Sequence, residues 1–421
     1  MAITRKSLPV ILTFVAAALL SFSCMSAQTP NRNPVVRQYT FLEQLAILLQ
    51  EDKLEAAIAL FDTLSVQEAE KTENRLAKAS VMVSAGRFND ARTIADILIN
   101  EDKSNYQARY VLANIEGVEG KLKERKLILE DIVKENGQFL PALCDLGNIA
   151  LNSKAYKQAG IYYDDALKIA PDNLEALIGR ANVYRLLHKN SEAEKLFTQA
   201  VELYPKSAAV YSERGRFYRE TGNLPRAMDD LEKAGKLDPY DYWIAYDRGR
   251  LLLEQNKSEE ALKEFIRATK INPDNFLAFV YSAGLRDKAG DIKGAELDYQ
   301  RMCELRPDYY FAFESLGVIK MLEGHYAAAH DAFLNAFIKA PNEHNYAILT
   351  AINALKAGVS RTTVKSFVEQ VMKKFDRNKL DYQVLRLFYD YSGDADVCRR
   401  VDAEKNTQIK AQMLYYLANY Y

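Results

Sequence analysis

Small and large apolar residues recur along the chain at a fixed interval of 34 residues. When intervals are numbered from residues 140, 174, 208, 242, 276 and 310, position 20 is always alanine: Ala159, Ala193, Ala227, Ala261, Ala295 and Ala329. Position 8 is also small and position 24 is large and apolar, as at Gly147 and Tyr163. Small residues let two helices approach closely, and large ones fill the space between successive pairs. The pattern predicts a series of antiparallel helix pairs.

Proline and glycine mark the ends of these predicted helices. Prolines stand at the same interval, at Pro171, Pro205, Pro239, Pro273, Pro307 and Pro341. Proline cannot continue the helix that it meets, so each one closes a helical unit. Position 15 tends to glycine or asparagine, as at Gly222 and Asn256, which suits a left-handed residue that ends the first helix. Each interval therefore predicts one helix-turn-helix unit.

The stretch YSERGRFYRETGNLPRAMDDLEKAGKLDP (211–239) combines these features and resembles the tetratricopeptide repeat. The resemblance implies an all-α fold, a right-handed α-solenoid of about ten stacked 34-residue helix-turn-helix repeats. It is strongest over 140–343 and extends with weaker matches over 38–377, where Arg125 and Thr363 replace the alanine of position 20. Residues 378–421 are expected to form a helical C-terminal cap.

The first 37 residues have a different pattern. Two basic residues precede a predominantly apolar run over 8–20, which is too short to span a bilayer comfortably and has the length of a signal-peptide core. We therefore expect residues 1–27 to be an export signal and 28–37 to be a short linker.

Three alternatives stay open for the processing of this segment. Cleavage after Ala27 would release a soluble protein, whereas cleavage behind Ser23 would leave Cys24 as a lipid-modified first residue. The third alternative is an anchor that stays uncleaved. Each of them places the rest of the chain in the periplasm or cell envelope.

Charge and composition exclude several classes of function. The chain has 56 basic and 57 acidic residues, so no overall field attracts nucleic acid, and we expect membrane contact only through an N-terminal lipid or anchor. The cysteines Cys144, Cys303 and Cys398 are widely separated and are expected to be buried hydrophobes. The four histidines lack the spacing of metal ligands. We expect a non-enzymatic protein without a cofactor or a metal.

The first helix of each repeat carries the candidate binding residues. At 100° per residue, positions 4, 7, 8 and 11 of this helix face the core, while positions 2, 5, 9 and 13 face outward. The resemblance implies that these helices line a concave face that binds segments of other proteins. The residues predicted to bind there lie on the outward positions and at position 12: Asn148, Asn182, Arg185, Arg216, Arg219, Trp243, Tyr246 and Arg250.

The chemistry of this set favours a peptide partner. Amide side chains can bond a peptide backbone, arginine can hold a carboxylate with two hydrogen bonds, and a rigid aromatic residue can act as an anchor. The predicted partners are other proteins or peptides, with acidic or C-terminal segments. A structural role is the alternative, because Glu213, Asp247 and Glu254 stand where they could neutralise the arginines.

Three further arginines, Arg180, Arg214 and Arg248, stand at the inward position 7. A half-buried arginine needs a partner, and Asp230 and Glu264 of the second helices are within plausible reach of the latter two. The sequence therefore predicts ion pairs between the two helices of a repeat.

Two functions remain open at this point. The first is a protein-protein interaction scaffold or adaptor in the periplasm or cell envelope. The second, by resemblance, is an accessory protein of a periplasmic solute-binding and transport system that carries a small apolar ligand. An open polar groove would favour the first, and an apolar channel through the stack would favour the second.

Overall fold

The computed structural model describes residues 39–421. The expected export signal at 1–27, the candidate lipidation site Cys24 and the linker at 28–37 lie outside these residues. Over the described range the backbone forms 24 α-helices and one 3-10 turn, Phe61–Thr63, and it contains no β-strand. The predicted all-α class is confirmed.

The first eleven helices are α1 (Phe41–Gln50), α2 (Leu54–Leu60), α3 (Val66–Ala69), α4 (Thr72–Ser84), α5 (Phe88–Glu101), α6 (Tyr106–Val118), α7 (Leu122–Glu135), α8 (Leu140–Asn152), α9 (Tyr156–Ile169), α10 (Leu174–Leu186) and α11 (Asn190–Leu203). The next ten are α12 (Ala208–Glu220), α13 (Leu224–Leu237), α14 (Tyr242–Glu254), α15 (Ser258–Ile271), α16 (Phe276–Ala289), α17 (Ile292–Leu305), α18 (Tyr310–Leu322), α19 (Tyr326–Lys339), α20 (His344–Lys356) and α21 (Arg361–Met372). The last three are α22 (Leu380–Asp390), α23 (Asp394–Asp402) and α24 (Thr407–Tyr420).

A left-handed residue marks the turn inside every repeat. These residues lie 34 apart and have φ between 56° and 84°: Asp52, Gly86, Gly120, Lys154, His188, Gly222, Asn256, Gly290, Gly324 and Gly358. The amide of the next residue closes each turn, as where the N–H of Asn223 donates to the carbonyl of Tyr218 at 2.8 Å. The same left-handed turn therefore also forms in the repeats where position 15 is aspartate, lysine or histidine. The prediction of about ten repeats is confirmed.

The described chain forms two compact units, residues 39–205 and 206–421. The N-terminal unit contains α1 to α11, and the C-terminal unit contains α12 to α24. Within each unit, the two helices of a repeat pack against each other, and the second helix packs against the first helix of the next repeat. Each unit is thus a stack in which a repeat contacts its neighbours, as in a tetratricopeptide solenoid.

The small and large positions form the core as predicted. All six alanines of position 20 are fully buried, and so are five of the six large side chains at position 24, with Tyr299 only slightly exposed. The contact is close at Gly249, where an added Cβ would lie 2.9 Å from the ring of Phe265. A larger residue at position 8 would therefore separate the two helices of the repeat.

The structure explains the two exceptions at position 20. The side chain of Arg125 lies over Gly117, where an added Cβ would be 2.8 Å from Arg125 Cδ, and its Nη2 donates to Asp145 Oδ2 at 2.8 Å. Thr363 is exposed, and Val364 is buried instead. The reason is a turn one residue longer, since Ser360, two residues after Gly358, is the N-cap of α21.

The C-terminal helices do not continue the hairpin pattern. Helix α24 packs against α20 and α22, and its residues Met413, Tyr416 and Leu417 join one buried apolar cluster with Ile348 and Ile352 of α20. The last repeat is therefore covered by a helix from the same chain.

Candidate functional site

The candidate site lies on the exposed side of the first helices, here called the first-helix surface. In the C-terminal unit it is formed by α12, α14, α16, α18 and α20, and in the N-terminal unit by α8 and α10 among others. The residues predicted to bind a partner are distributed over both units, and each unit has its own set of contacts.

Arg216 on α12 is held in an ion-paired position. Its Nη1 donates to Glu213 Oε1 at 2.9 Å, and its Nη2 donates to Asp247 Oδ2 of α14, also at 2.9 Å. Burial by itself lowers the pKa of Arg216, but the charges of Glu213 and Asp247 outweigh it and raise the pKa above its ordinary value. Because Asp247 is only 3% exposed, the pair connects two repeats internally.

Arg219 is also paired within the unit. Its Nη1 donates to Glu254 Oε1 at 2.8 Å, and its side chain is almost fully buried. The alternative of a structural role for these arginines is thus supported by the geometry, since both guanidinium groups already contact carboxylates. Their part in binding stays a prediction.

Of the two aromatic residues on α14, only Tyr246 is placed differently from the prediction. Tyr246 is only 6% exposed, and its ring packs edge-on against Phe265 at 5.8 Å and Tyr281 at 5.7 Å. The outward placement of Tyr246 is therefore wrong, because position 5 is covered by the next repeat. Trp243 remains partly exposed, with its ring 5.7 Å from that of Tyr246.

Arg250 differs from Arg216 and Arg219, the other two arginines of the C-terminal unit that were predicted to bind a partner. Its guanidinium lies 5.9 Å from the centre of the Tyr246 ring. Among the ion pairs of residues 39–421, none joins Arg250 to a carboxylate. A partly exposed guanidinium beside an aromatic ring is a suitable donor for an incoming carboxylate.

The asparagines of the N-terminal unit are already hydrogen-bonded. Asn148 Nδ2 donates to Glu175 Oε1 at 2.7 Å, and Asn148 Oδ1 accepts from the Tyr163 hydroxyl at 2.7 Å. Asn182 is buried, contrary to its predicted outward placement, and accepts from Arg185 Nε at 2.9 Å. These amides position neighbouring side chains in the stack. Whether they also bind a partner stays a prediction.

The predicted inter-helix ion pairs are confirmed. Arg214 donates from Nε and Nη2 to the two oxygens of Asp230 at 2.7 and 2.8 Å. Arg248 Nη1 lies 3.1 Å from Glu264 Oε1. Both pairs join the first and second helices of one repeat, so they stabilise the stack and are not part of the first-helix surface.

Four exposed apolar residues of the C-terminal unit, here called the apolar strip, were not among the predicted site residues. They are Leu277 on α16 and Phe311, Val318 and Leu322 on α18. In the repeat that begins at residue 310, the apolar residues occupy positions 2, 9 and 13, which helical geometry places on the outward side. This signal in the sequence could have located the strip.

The described residues give no indication of metal or membrane chemistry. No group of three or more histidine, cysteine, aspartate or glutamate side chains among them could hold a metal ion. No helix in the described part of the chain is long and apolar enough to cross a membrane. Burial raises the pKa of the Cys303 thiol to about 12 and also raises that of Cys144, which disfavours the reactive thiolate.

No curated protein matches the chain. Among solved structures, a chain in the crystal structure of the APC/C hetero-tetramer Cut9–Hcn1 is similar at 18% identity and a TM-score of 0.48, over 74% of this chain and 62% of that one. This chain therefore spans less than two thirds of that relative.

Two bacterial proteins are also similar in structure. A tetratricopeptide repeat protein from Parabacteroides merdae has 18% identity and a TM-score of 0.45, over 57% of this chain and 96% of its own. PilF from Pseudomonas aeruginosa has 18% identity and a TM-score of 0.39, over 58% of this chain and 95% of its own.

The family model of the ETO1 C-terminal domain matches residues 35–323, which is more than half of the chain. The chain thus belongs to the ETO1 C-terminal domain family and is a tetratricopeptide-repeat protein.

Proposed function

We propose that the protein is a non-enzymatic protein-protein interaction scaffold, and that the first-helix surface of its C-terminal unit binds a segment of a partner protein. Membership of a tetratricopeptide-repeat family supports this role, since stacked helix pairs present an extended surface and no deep pocket by default. The finer proposal is that the bound segment carries a carboxylate, either from an acidic side chain or from a C-terminus.

The proposal rests on Arg250, whose guanidinium is partly exposed and is not paired with a carboxylate of the described residues. Arg216 and Arg219 contact carboxylates of their own unit, so a ligand would have to displace Asp247 or Glu254 to reach them. Arg250 has no such internal partner among the described residues, and the partly exposed Trp243 lies on the same helix. A carboxylate at Arg250 and an apolar contact at Trp243 together form a small anchor site.

A carrier of a small apolar ligand needs an enclosed apolar cavity. The depression lined by Asp229, Glu232, Lys233, Lys236 and Leu237 lies on the surface of the single helix α13 and is open to solvent, so it does not provide such a cavity. The choice of the scaffold rests on the first-helix surface and on Arg250.

The proposed location is the periplasm or cell envelope. Its support is the basic residues and the apolar run over 8–20, which have the order and length of an export signal. Attachment through Cys24 and release after Ala27 are both compatible with this location.

Affinity capture from envelope extract tests the binding proposal. Arg250→Ala and Trp243→Ala are each compared with the wild type, and Arg399→Ala is the matched control because Arg399 is 80% exposed on α23. We expect Arg250→Ala to weaken capture about tenfold or more, since a charge-assisted hydrogen bond contributes roughly 1.5–3 kcal/mol. The control should capture the partner as the wild type does. Equal capture by all four proteins would contradict the proposal.

A further inference from the structure

The same repeat position is buried in the last repeat and exposed in the one before it. Position 9 is Ile352 on α20, which is 1% exposed, and Val318 on α18, which is 38% exposed. Ile352 belongs to one buried apolar cluster with residues of α22 and α24, and both of these helices pack against α20. In the last repeat, this surface is therefore covered by helices of the same chain.

Helix α24 shows which side chains can pack on this surface. Its buried face consists of Met413, Tyr416 and Leu417, which have the i, i+3, i+4 spacing of one helix side. Its outer side reaches the edge of α18, where the Tyr415 hydroxyl contacts Met321 Sδ at 3.5 Å. Helix α24 thus reaches α18 at the residue next to Leu322 of the apolar strip.

The apolar strip has the dimensions of a site for a further helix. Phe311 and Leu322 on α18 are eleven residues apart, which corresponds to about 16 Å along a helix axis. Their exposed fractions are 48% and 77%, so both side chains can still bury apolar area against a partner. A helix of three or four turns would cover this length.

Gly284 provides an independent observation at the same surface. It lies inside α16 at position 9, and an added Cβ would meet no atom within 4 Å. Neither packing within the chain nor a positive φ requires glycine here, although glycine inside a helix is less stable than alanine. An open glycine in this place permits the close approach of another backbone or a large side chain.

We propose that the apolar strip, together with Gly284, is a docking surface for an amphipathic helix of a partner protein, with methionine, leucine and aromatic residues along its apolar face. The proposal rests on the scaffold function and adds a second contact, separate from the carboxylate site at Arg250. A helix is favoured over an extended segment because the chain already covers the adjacent part of this surface with a helix.

Direct binding of a defined peptide tests the proposal. The probe is a fluorescein-labelled peptide with the sequence of residues 405–421, which has the required apolar face, and the protein is the full chain. Fluorescence anisotropy should show saturable binding to the wild type. The double variant Val318→Glu, Leu322→Glu should bind at least tenfold more weakly, because two charges would face the apolar side of the peptide.

The matched control places the same charges on exposed apolar residues of second helices. Leu297 on α17 and Ile338 on α19 are as exposed as the strip residues, so Leu297→Glu, Ile338→Glu should bind the probe within twofold of the wild type. Circular dichroism and thermal melting of both double variants check that the fold is kept. A probe with serine at the positions of Met413, Tyr416 and Leu417 should not bind.

Three results would overturn the proposal: no binding of the probe to the wild type, equal binding by both double variants, or a wild-type dimer that the probe dissociates. The last would identify a second copy of the chain as the occupant. None of these results depends on Arg250 or Trp243, so failure here is distinguishable from failure of the carboxylate site.

Discussion

The ion pair between Arg216 and Asp247 makes a quantitative prediction about stability. Asp247 is 3% exposed, and Arg216 approaches its Oδ2 with Nε at 3.3 Å and Nη2 at 2.9 Å. Arg216→Ala removes these donors and leaves a buried carboxylate without them. The substitution should therefore destabilise the C-terminal unit. Replacing an arginine that is only solvated would, in contrast, change the free energy of unfolding little.

The magnitude follows from the burial of the two partners. Removing one partner of a fully buried pair costs about 3–5 kcal/mol, and a hydrogen bond to a charged group contributes roughly 1.5–3 kcal/mol. The Arg216 side chain is 27% exposed, so solvent will reach the site and the lower range applies. We expect a loss of about 2–3 kcal/mol for Arg216→Ala, against at most about 0.5 kcal/mol for Arg250→Ala.

Urea unfolding followed by the fluorescence of Trp243 measures this loss. Trp243 is the chain's single tryptophan and lies on α14 beside Asp247. The double variant Arg216→Ala, Asp247→Asn should regain at least half of the lost free energy, because the amide removes the buried charge. A loss below about 0.5 kcal/mol for Arg216→Ala, or no recovery in the double variant, would refute this reasoning.

Three further predictions concern glycine packing, pH dependence and processing. Gly249→Ala should lower the free energy of unfolding by about 1–3 kcal/mol, because the added methyl group would clash with Phe265. Gly284→Ala should raise it by roughly 0.5–1 kcal/mol. Urea unfolding measures both, and a Gly249→Ala variant more stable than Gly284→Ala would contradict the packing described. Burial raises the pKa of Asp298, so this carboxylate weakens the fold once the pH exceeds its unfolded-state pKa. Asp298→Asn should therefore raise Tm more at pH 7 than at pH 4. An equal change of Tm at the two pH values would show that burial does not raise the pKa of Asp298. Mass spectrometry of the protein from its own cells should show the loss of roughly 23 or 27 residues, and an intact chain in the cytoplasm would exclude export.

The sequence predicted the repeat architecture because each repeat imposes the same local requirements. Position 20 must be small where two helices meet, and position 15 must adopt positive φ whichever residue stands there, as Lys154 and His188 show. The Arg214–Asp230 pair could be predicted because both residues belong to one repeat, whose internal geometry the 34-residue pattern defines.

The candidate site was less predictable because its surroundings come from neighbouring repeats. A helical wheel places Tyr246 outward, but Tyr281 of the following repeat covers it. The partner of Arg216 is 31 residues away in the chain, and only the stacking of α12 on α14 brings them together. The apolar strip was visible in the sequence, whereas the burial of Ile352 in a cluster with α22 and α24 depends on how the C-terminal helices fold back.

Site-specific photo-crosslinking in the native cell tests the central claim, that the first-helix surface of the C-terminal unit binds other proteins. A photoreactive phenylalanine analogue is placed at Trp243 or Phe311 on first helices, and at Leu297 or Ile338 on second helices as controls. We expect discrete crosslinked protein bands from the first pair of positions and none from the second pair. Crosslinks that arise only from Leu297 and Ile338, or equally from all four positions, would contradict it.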